Sequence, residues 1–228
     1  MRVAALQLPV GDKDAYNTVY QISYEPVEAG VKGGITSVTN SNGSRTVYHI
    51  SKQCLFEKVE CFLPNGQLFK RTSYGWTSRN WLKSISVEGK DEEFILEKQF
   101  EYDSFGNPIK ETLSGDLQGK GEIELSSTSR VFTNDGLNLL LEEQFENRKI
   151  VRYRYLSGTN LVISKLTLDG DQILNREFNV YDKHHNLTKK IVDNGSSNDQ
   201  DDTSTVTVRR VTNYILRQSA PFLHLPEQ

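Results

Sequence analysis

Tyr102-Asp103-Ser104-Phe105-Gly106-Asn107-Pro108-Ile109 reads as an aromatic strand end, a tight turn and the start of a returning strand. Glycine supplies the positive φ that such a turn needs, and an Asp before it can accept a backbone N–H and hold the bend. The aromatic before the turn and the aliphatic after it then face each other across two antiparallel strands. The same spacing recurs along the chain. Phe62 is followed by Gly66 and Leu68, and Phe132 by Gly136 and Leu139. Tyr155 is followed by Thr159 and Leu161, and Tyr181 by His185 and Leu187. Asn42-Gly43 and Asp169-Gly170 are further turn pairs.

The flanks of these turns have the period of two that marks strands. Val151, Tyr153 and Tyr155 alternate with Arg152 and Arg154. Leu137, Leu139 and Leu141 form another alternating set, Leu96, Phe100 and Tyr102 share a face, and Val206 and Val208 alternate with threonines. Turn spacings vary, 22 residues from Gly136 to Gly158 and 40 from Gly66 to Gly106, so the repeat is degenerate and carries insertions. The stretch Asp91-Glu-Glu-Phe-Ile-Leu-Glu-Lys-Gln99 is rich in helix formers, but its run into Phe100 and Tyr102 favours a strand at its end. The expected fold is all-β, a meandering array of antiparallel hairpins. Residues 1–32 form an N-terminal strand and loop segment, 33–193 the hairpin array, 194–204 an acidic flexible loop, and 205–228 a last strand and tail.

Composition bounds the function. The chain has 228 residues, 36% apolar, with a mean hydropathy of −0.55, which suits a sheet with wet faces more than a thick core. Aromatics at 10% argue against disorder. A net charge of −3, with Arg209-Arg210 the lone adjacent arginine pair, gives no footprint for nucleic acid. No window is long and apolar enough for a membrane helix, and Met1–Val10 is too short for a signal peptide. Cys54 and Cys61 would need an intervening turn to form a disulfide, and two partly buried thiols is the plainer reading.

Tyr102-Asp103-x-x-Gly106-Asn107-Pro-Ile109 resembles the signature of the RHS/YD-repeat family, and Tyr181-Asp182-x-x-His185-Asn186-Leu187 resembles a second copy. Ile35 to Ser44 is similar to the strand and turn between repeats. The likeness spans roughly residues 33–193. His185 replaces the turn glycine in the second copy, and Asn179 stands where an aromatic is expected. The resemblance implies a curved, spiralling sheet that forms part of a shell. It implies Tyr102, Asp103, Gly106, Asn107, Tyr181, Asp182 and Asn186 as structural repeat residues. The partners implied are other repeats of a larger shell or an enclosed toxin or effector polypeptide, in a secreted or cell-surface setting.

Chemical motifs are sparse. There is no Gly-x-Ser-x-Gly elbow, and Gly30-Val-Lys-Gly33-Gly34 lacks the ending of a phosphate loop. The adjacent His184 and His185 would point to opposite faces of a strand, and with Asp182 make a poor metal set. The acidic runs Asp91-Glu92-Glu93, Glu142-Glu143 and Asp201-Asp202 read as solvated faces rather than acid/base pairs. No cofactor or metal site is expected. Tyr74, Trp76 and Trp81 are the densest aromatic cluster and the candidate ligand surface, with cell-surface glycans as the ligand class; cross-strand packing is the competing reading. The expected function is a non-catalytic scaffold, with a carbohydrate- or surface-binding module as the alternative.

Overall fold

The computed structural model describes residues 4–9 and 16–215. Sixteen strands account for almost all of its regular structure: β1 (Ala5–Pro9), β2 (Tyr16–Glu25), β3 (Gly34–Asn40), β4 (Arg45–Ile50), β5 (Phe56–Phe62), β6 (Leu68–Trp76), β7 (Leu82–Glu88), β8 (Phe94–Tyr102), β9 (Pro108–Gly115), β10 (Glu124–Phe132), β11 (Leu140–Phe145), β12 (Lys149–Tyr155), β13 (Val162–Asp169), β14 (Gln172–Tyr181), β15 (Leu187–Asp193) and β16 (Arg209–Asn213). Their order in the open sheet is their order in the chain, and every described pairing is antiparallel between sequence neighbours. The helix-prone stretch resolves into one 3-10 turn at Lys90–Glu92 followed by β8. The residues divide into two compact units, Met1–Glu101 with Thr112–Ser126, and Tyr102–Glu111 with Ser127–Gln228.

One turn geometry closes six hairpins. In Asn40–Ser44, Ser51–Leu55, Leu63–Gln67, Thr77–Trp81, Asp103–Asn107 and Asp182–Asn186, the first residue's N–H donates to the fifth residue's carbonyl, and the fourth residue's N–H donates back to the first carbonyl. The fourth residue always has positive φ: Gly43, Cys54, Gly66, Asn80, Gly106 and His185. Cys54 and Asn80 lie outside the glycine pattern read from sequence, so two of these turns are legible only in the structure. His185, at φ 65°, keeps the same turn that Gly106 makes at 92°. A residue with a Cβ pays about 1–2 kcal/mol for that backbone.

A bulge sits just before the last residue of the strand entering the turn, between His49 and Ile50, Cys61 and Phe62, Gly75 and Trp76, Arg154 and Tyr155, and Val180 and Tyr181. A bulge bends the strand and re-aims the side chain that follows. That places the terminal aromatic against the sheet. Trp76 Nε1 donates to the carbonyl of Phe56 (2.6 Å), Tyr155 Oη to that of Leu140 (2.7 Å) and Tyr181 Oη to that of Val162 (3.0 Å). Each acceptor is the first residue of the preceding strand.

In the first unit, one face of the sheet carries an ion ladder. His49, Arg71 and Lys58 meet Glu60 at 2.8, 3.1 and 3.2 Å, and Arg71 also reaches Glu88 at 3.3 Å. On the other face Tyr48, Phe56 and Tyr74 form a row of tilted rings, 6.0 and 6.3 Å between centroids. In the second unit, Leu166, Leu168, Phe178 and Ile191 form a small buried cluster, backed by Ile150 and Ile173.

The alternation read at Leu137, Leu139 and Leu141 begins too early, because β11 starts at Leu140. The Thr133 N–H donates to the Leu139 carbonyl, and the Leu139 N–H to the Thr133 hydroxyl, which makes Leu139 the closing residue of a longer turn. The last strand also begins later than the alternation at Val206 and Val208 suggests, at Arg209. Residues 205–208 instead close a loop, with Asn194 Oδ1 accepting the N–H groups of Thr207 and Val208 at 3.1 and 3.0 Å. Leu216 and the tail at Pro221–Pro226, with His224, lie outside the described residues.

Candidate functional site

The turn residues named from sequence form a polar cage. Asp103 Oδ1 accepts the N–H of Phe105 (2.8 Å) and of Asn107 (3.0 Å), and Asp103 Oδ2 accepts from Asn107 Nδ2 (2.8 Å). Asp182 does the same with His184 (2.8 Å), Asn186 (2.9 Å) and Asn186 Nδ2 (3.1 Å to Oδ2). The Asn107 side chain, then the turn N–H groups, hold the Asp103 carboxyl below the usual range. For Asp182 the Asn186 N–H leads the same downward shift. Ser51 and Thr77 play this part with a hydroxyl, taking N–H bonds from Leu55 (3.2 Å) and Trp81 (3.0 Å). Asn40 does it with an amide oxygen, taking the Ser44 N–H at 3.0 Å, so a side-chain oxygen at the first position is the wider signal, and of the six turns the one that begins at Leu63 lacks it.

A second cage was not legible in the sequence. Arg176 lies at the centre of β14 and is fully buried. Register places it between Leu166 on β13 and Asp193 on β15. Its Nε donates to Asp193 Oδ1 (2.6 Å) and one Nη2 hydrogen to Asp193 Oδ2 (3.0 Å). The other three hydrogens go to loop carbonyls, those of Ser197 (2.8 Å), Asp199 (2.7 Å) and Asp202 (3.0 Å). All five guanidinium N–H groups are thus met, which is what a buried charge requires. Burial pulls the Asp193 carboxyl upward, but Arg176, the Gly195 N–H and Arg209 together outweigh it and hold the carboxyl below its ordinary value. Gly195 is needed here because a Cβ would run into the guanidinium. Residues 194–204, acidic and without apolar side chains, are folded around this one cation through their backbone.

The loop flanks two grooves on the sheet of the second unit. One, about 740 Å³, lies towards the Tyr181 turn; the other, about 610 Å³, lies over Leu166, Leu168 and Ile173. They meet at Arg154, Ser164 and Asn198, which line both.

The aromatic candidates are half-buried. Tyr74 packs on Phe56, Trp76 gives its indole N–H to the Phe56 carbonyl, and Arg79 stacks 5.2 Å over Trp81. The first two contacts join β6 to β5, and the third lies within the Thr77–Trp81 turn. Cys54, in a turn, and Cys61, in β5, are both free thiols. Among the described residues no group of three His, Cys, Asp or Glu side chains could hold a metal ion, and no helix is long and apolar enough to cross a membrane.

No family model and no curated protein matches the chain. Among solved structures it is similar to a TcdB2-TccC3-TEV chain, with a TM-score of 0.45 and 11% identity over 93% of this chain and 14% of that one. It is similar to a TcdB2-TccC3-Cdc42 chain at a TM-score of 0.49 and 11% identity, over 84% of this chain and 12% of that one. A porin-like protein from Bacteroides uniformis aligns at a TM-score of 0.34 and 9% identity over 92% and 82%. The chain thus spans about a seventh or less of the first two, and overlaps of this quality carry no functional assignment.

Proposed function

We propose that this chain is a non-catalytic scaffold, a wall segment of the RHS/YD-repeat kind that encloses or displays a toxin or effector polypeptide. The observation that carries the reading is the turn geometry, repeated at six hairpins of a single meander, four of which have a bulge just before the turn. Such a device builds sheet of any length, since each hairpin is closed by its own residues and needs contact only with its neighbours. The disposition of the polar groups supports the same reading. Asp103, Asp182, Asp193 and Glu60 are all held below their ordinary proton affinity by groups that fix turns or strand ladders. A general acid working at neutral pH needs the opposite shift. In this reading the chain acts outside the cell or on its surface. A glycan-binding role is the alternative, and the structural use of Trp76 and Tyr74 speaks for the scaffold.

The test is light scattering coupled to size-exclusion chromatography, across two decades of protein concentration. A wall segment has terminal strands that seek further strands, so mass should rise with concentration. A monomer at every concentration would count against the wall.

A further inference from the structure

The junction of the two grooves has features that the scaffold reading leaves unused. Ser164 is almost wholly buried there, and its hydroxyl has no hydrogen-bond partner. A buried polar atom is normally paired, so one left unmet marks a place where a partner is missing. The register partner of Ser164 on β12 is Arg154, exposed and without an ion pair among the described residues, while Arg152 on the same strand is held by Glu142 at 2.6 Å. Lys183 adds a second exposed cation on the rim of the larger groove. Asp182 and Asp199 line that groove too, but the first is closed into its own turn, and Asp199 Oδ1 accepts the Asp201 N–H at 2.9 Å. Of the carboxylates that line the smaller groove, Glu142 is held by Arg152, and Asp171 is exposed in the turn between β13 and β14. The floor is apolar, with Leu166 and Phe178 beneath the two lobes.

We propose that this joined groove binds an extended peptide segment that carries a carboxylate, with Arg154 as its anchor. Alternate side chains of an extended chain point to opposite sides, so apolar residues can enter the lobes while acidic ones stay at the rim. The guanidinium fork suits a carboxylate. An occupant seated at the junction, which Arg154, Ser164 and Asn198 line, can supply the Ser164 hydroxyl with its missing partner. A saccharide fits this floor less well, because stacking on a sugar needs an open aromatic face, and of the aromatic residues that line the lobes Phe178 is buried and Tyr153 and Tyr181 are half-buried. The inference goes beyond the wall reading and stands without it, since a monomer carries the whole groove.

The probe is an acetylated, amidated hexapeptide of alternating leucine and glutamate, compared with its leucine–glutamine and leucine–lysine counterparts. Binding is read by fluorescence anisotropy, and the site by backbone NMR shifts. The acidic peptide should bind roughly tenfold or more tighter than the neutral one, as expected for a hydrogen bond to a charged group, with shifts centred on Ser164 and Asn198. Arg154→Gln should remove that preference without loss of folding, because the side chain is exposed and unpaired. Ser164→Ala should weaken binding and leave thermal stability unchanged or higher. Equal affinity for the three peptides, undiminished binding in either variant, or no binding of the acidic peptide overturns the proposal. So does tighter binding of a sulfated oligosaccharide than of the acidic hexapeptide.

Discussion

Asp193→Ala removes one wall of the Arg176 cage and leaves the other standing. Two of the five guanidinium N–H groups, on Nε and Nη2, lose their acceptor, while three keep the carbonyls of Ser197, Asp199 and Asp202. The charge stays in place at a site with no solvent exposure. Breaking a buried pair from one side costs about 3–5 kcal/mol, and the three surviving bonds place this case near the lower end. That corresponds to a fall of roughly two decades in the protection of local amides. The double variant Arg176→Met, Asp193→Leu gives a sharper result. Replacing a buried ion pair by apolar residues is often neutral or better for the core, so the sheet should recover most of the lost stability. The loop carbonyls, however, then have no cation to gather round. Urea unfolding would read the sheet, and hydrogen exchange at residues 194–204 would read the loop. The single variant should lower both, and the double variant should restore the first alone. A cost under about 1 kcal/mol for Asp193→Ala, or a loop still protected in the double variant, would refute the cage as the organiser of this segment.

Gly106→Val places a β-branched residue at φ 92° and should cost about 2 kcal/mol or more, seen as a lower urea midpoint; no change would mean the turn can rearrange freely. His185→Gly works in the other direction, relieving a Cβ at φ 65° and raising stability by up to about 1 kcal/mol after the extra freedom of the unfolded glycine; a loss would point to a role for the imidazole. Gly195→Ala should destabilise by about 1–3 kcal/mol through overpacking against Arg176, and Arg176→Met in the same chain should remove that penalty. Acid should unfold the protein from below the ordinary carboxylate range. Because Asp103, Asp182, Asp193 and Glu60 have depressed folded values, their contribution is complete above the unfolded value and is lost as pH falls through the folded one. The urea midpoint should hold from pH 7 to about 5 and decline below about 4; a loss beginning above pH 5 would require another group.

The hairpins were readable where a turn declares itself by residue type. Tyr102-Asp103-x-x-Gly106-Asn107 carries both its acceptor and its positive-φ residue in the sequence, and Tyr181-Asp182 carries the acceptor with His185 in the glycine's place. The turns at Ser51–Leu55 and Thr77–Trp81 use the same hydrogen bonds with a weaker acceptor, and with Cys54 or Asn80 at positive φ, so no dipeptide announces them. Arg176 was hidden for another reason. Its partner lies 17 residues away, and its remaining acceptors are backbone carbonyls, which composition does not record. The visible trace was an arginine inside Ile173-Leu-Asn-Arg-Glu-Phe178, a position where an alternating strand would point it inward with Phe178.

The two cages share one principle and differ in sign. In the turns, a side-chain oxygen gathers backbone N–H groups; in the loop, a side-chain cation gathers backbone carbonyls. Both devices let polar sequence take a fixed shape where there is little apolar surface to bury. This explains how a chain that is only 36% apolar maintains a meander of sixteen strands. Its buried apolar cluster is small, and much of the order comes from hydrogen bonds that are local in sequence or set by strand register. Cooperative stability should then be concentrated on β13–β15, where Phe178 and Ile191 lie next to the arginine cage, and hairpins remote from it depend on their own turns. A sheet stabilised in this way tolerates changes in strand sequence better than changes at the first and fourth turn positions. That agrees with a repeat whose turn grammar persists while its spacing changes, from 11 residues between Gly43 and Cys54 to 26 between Asn80 and Gly106.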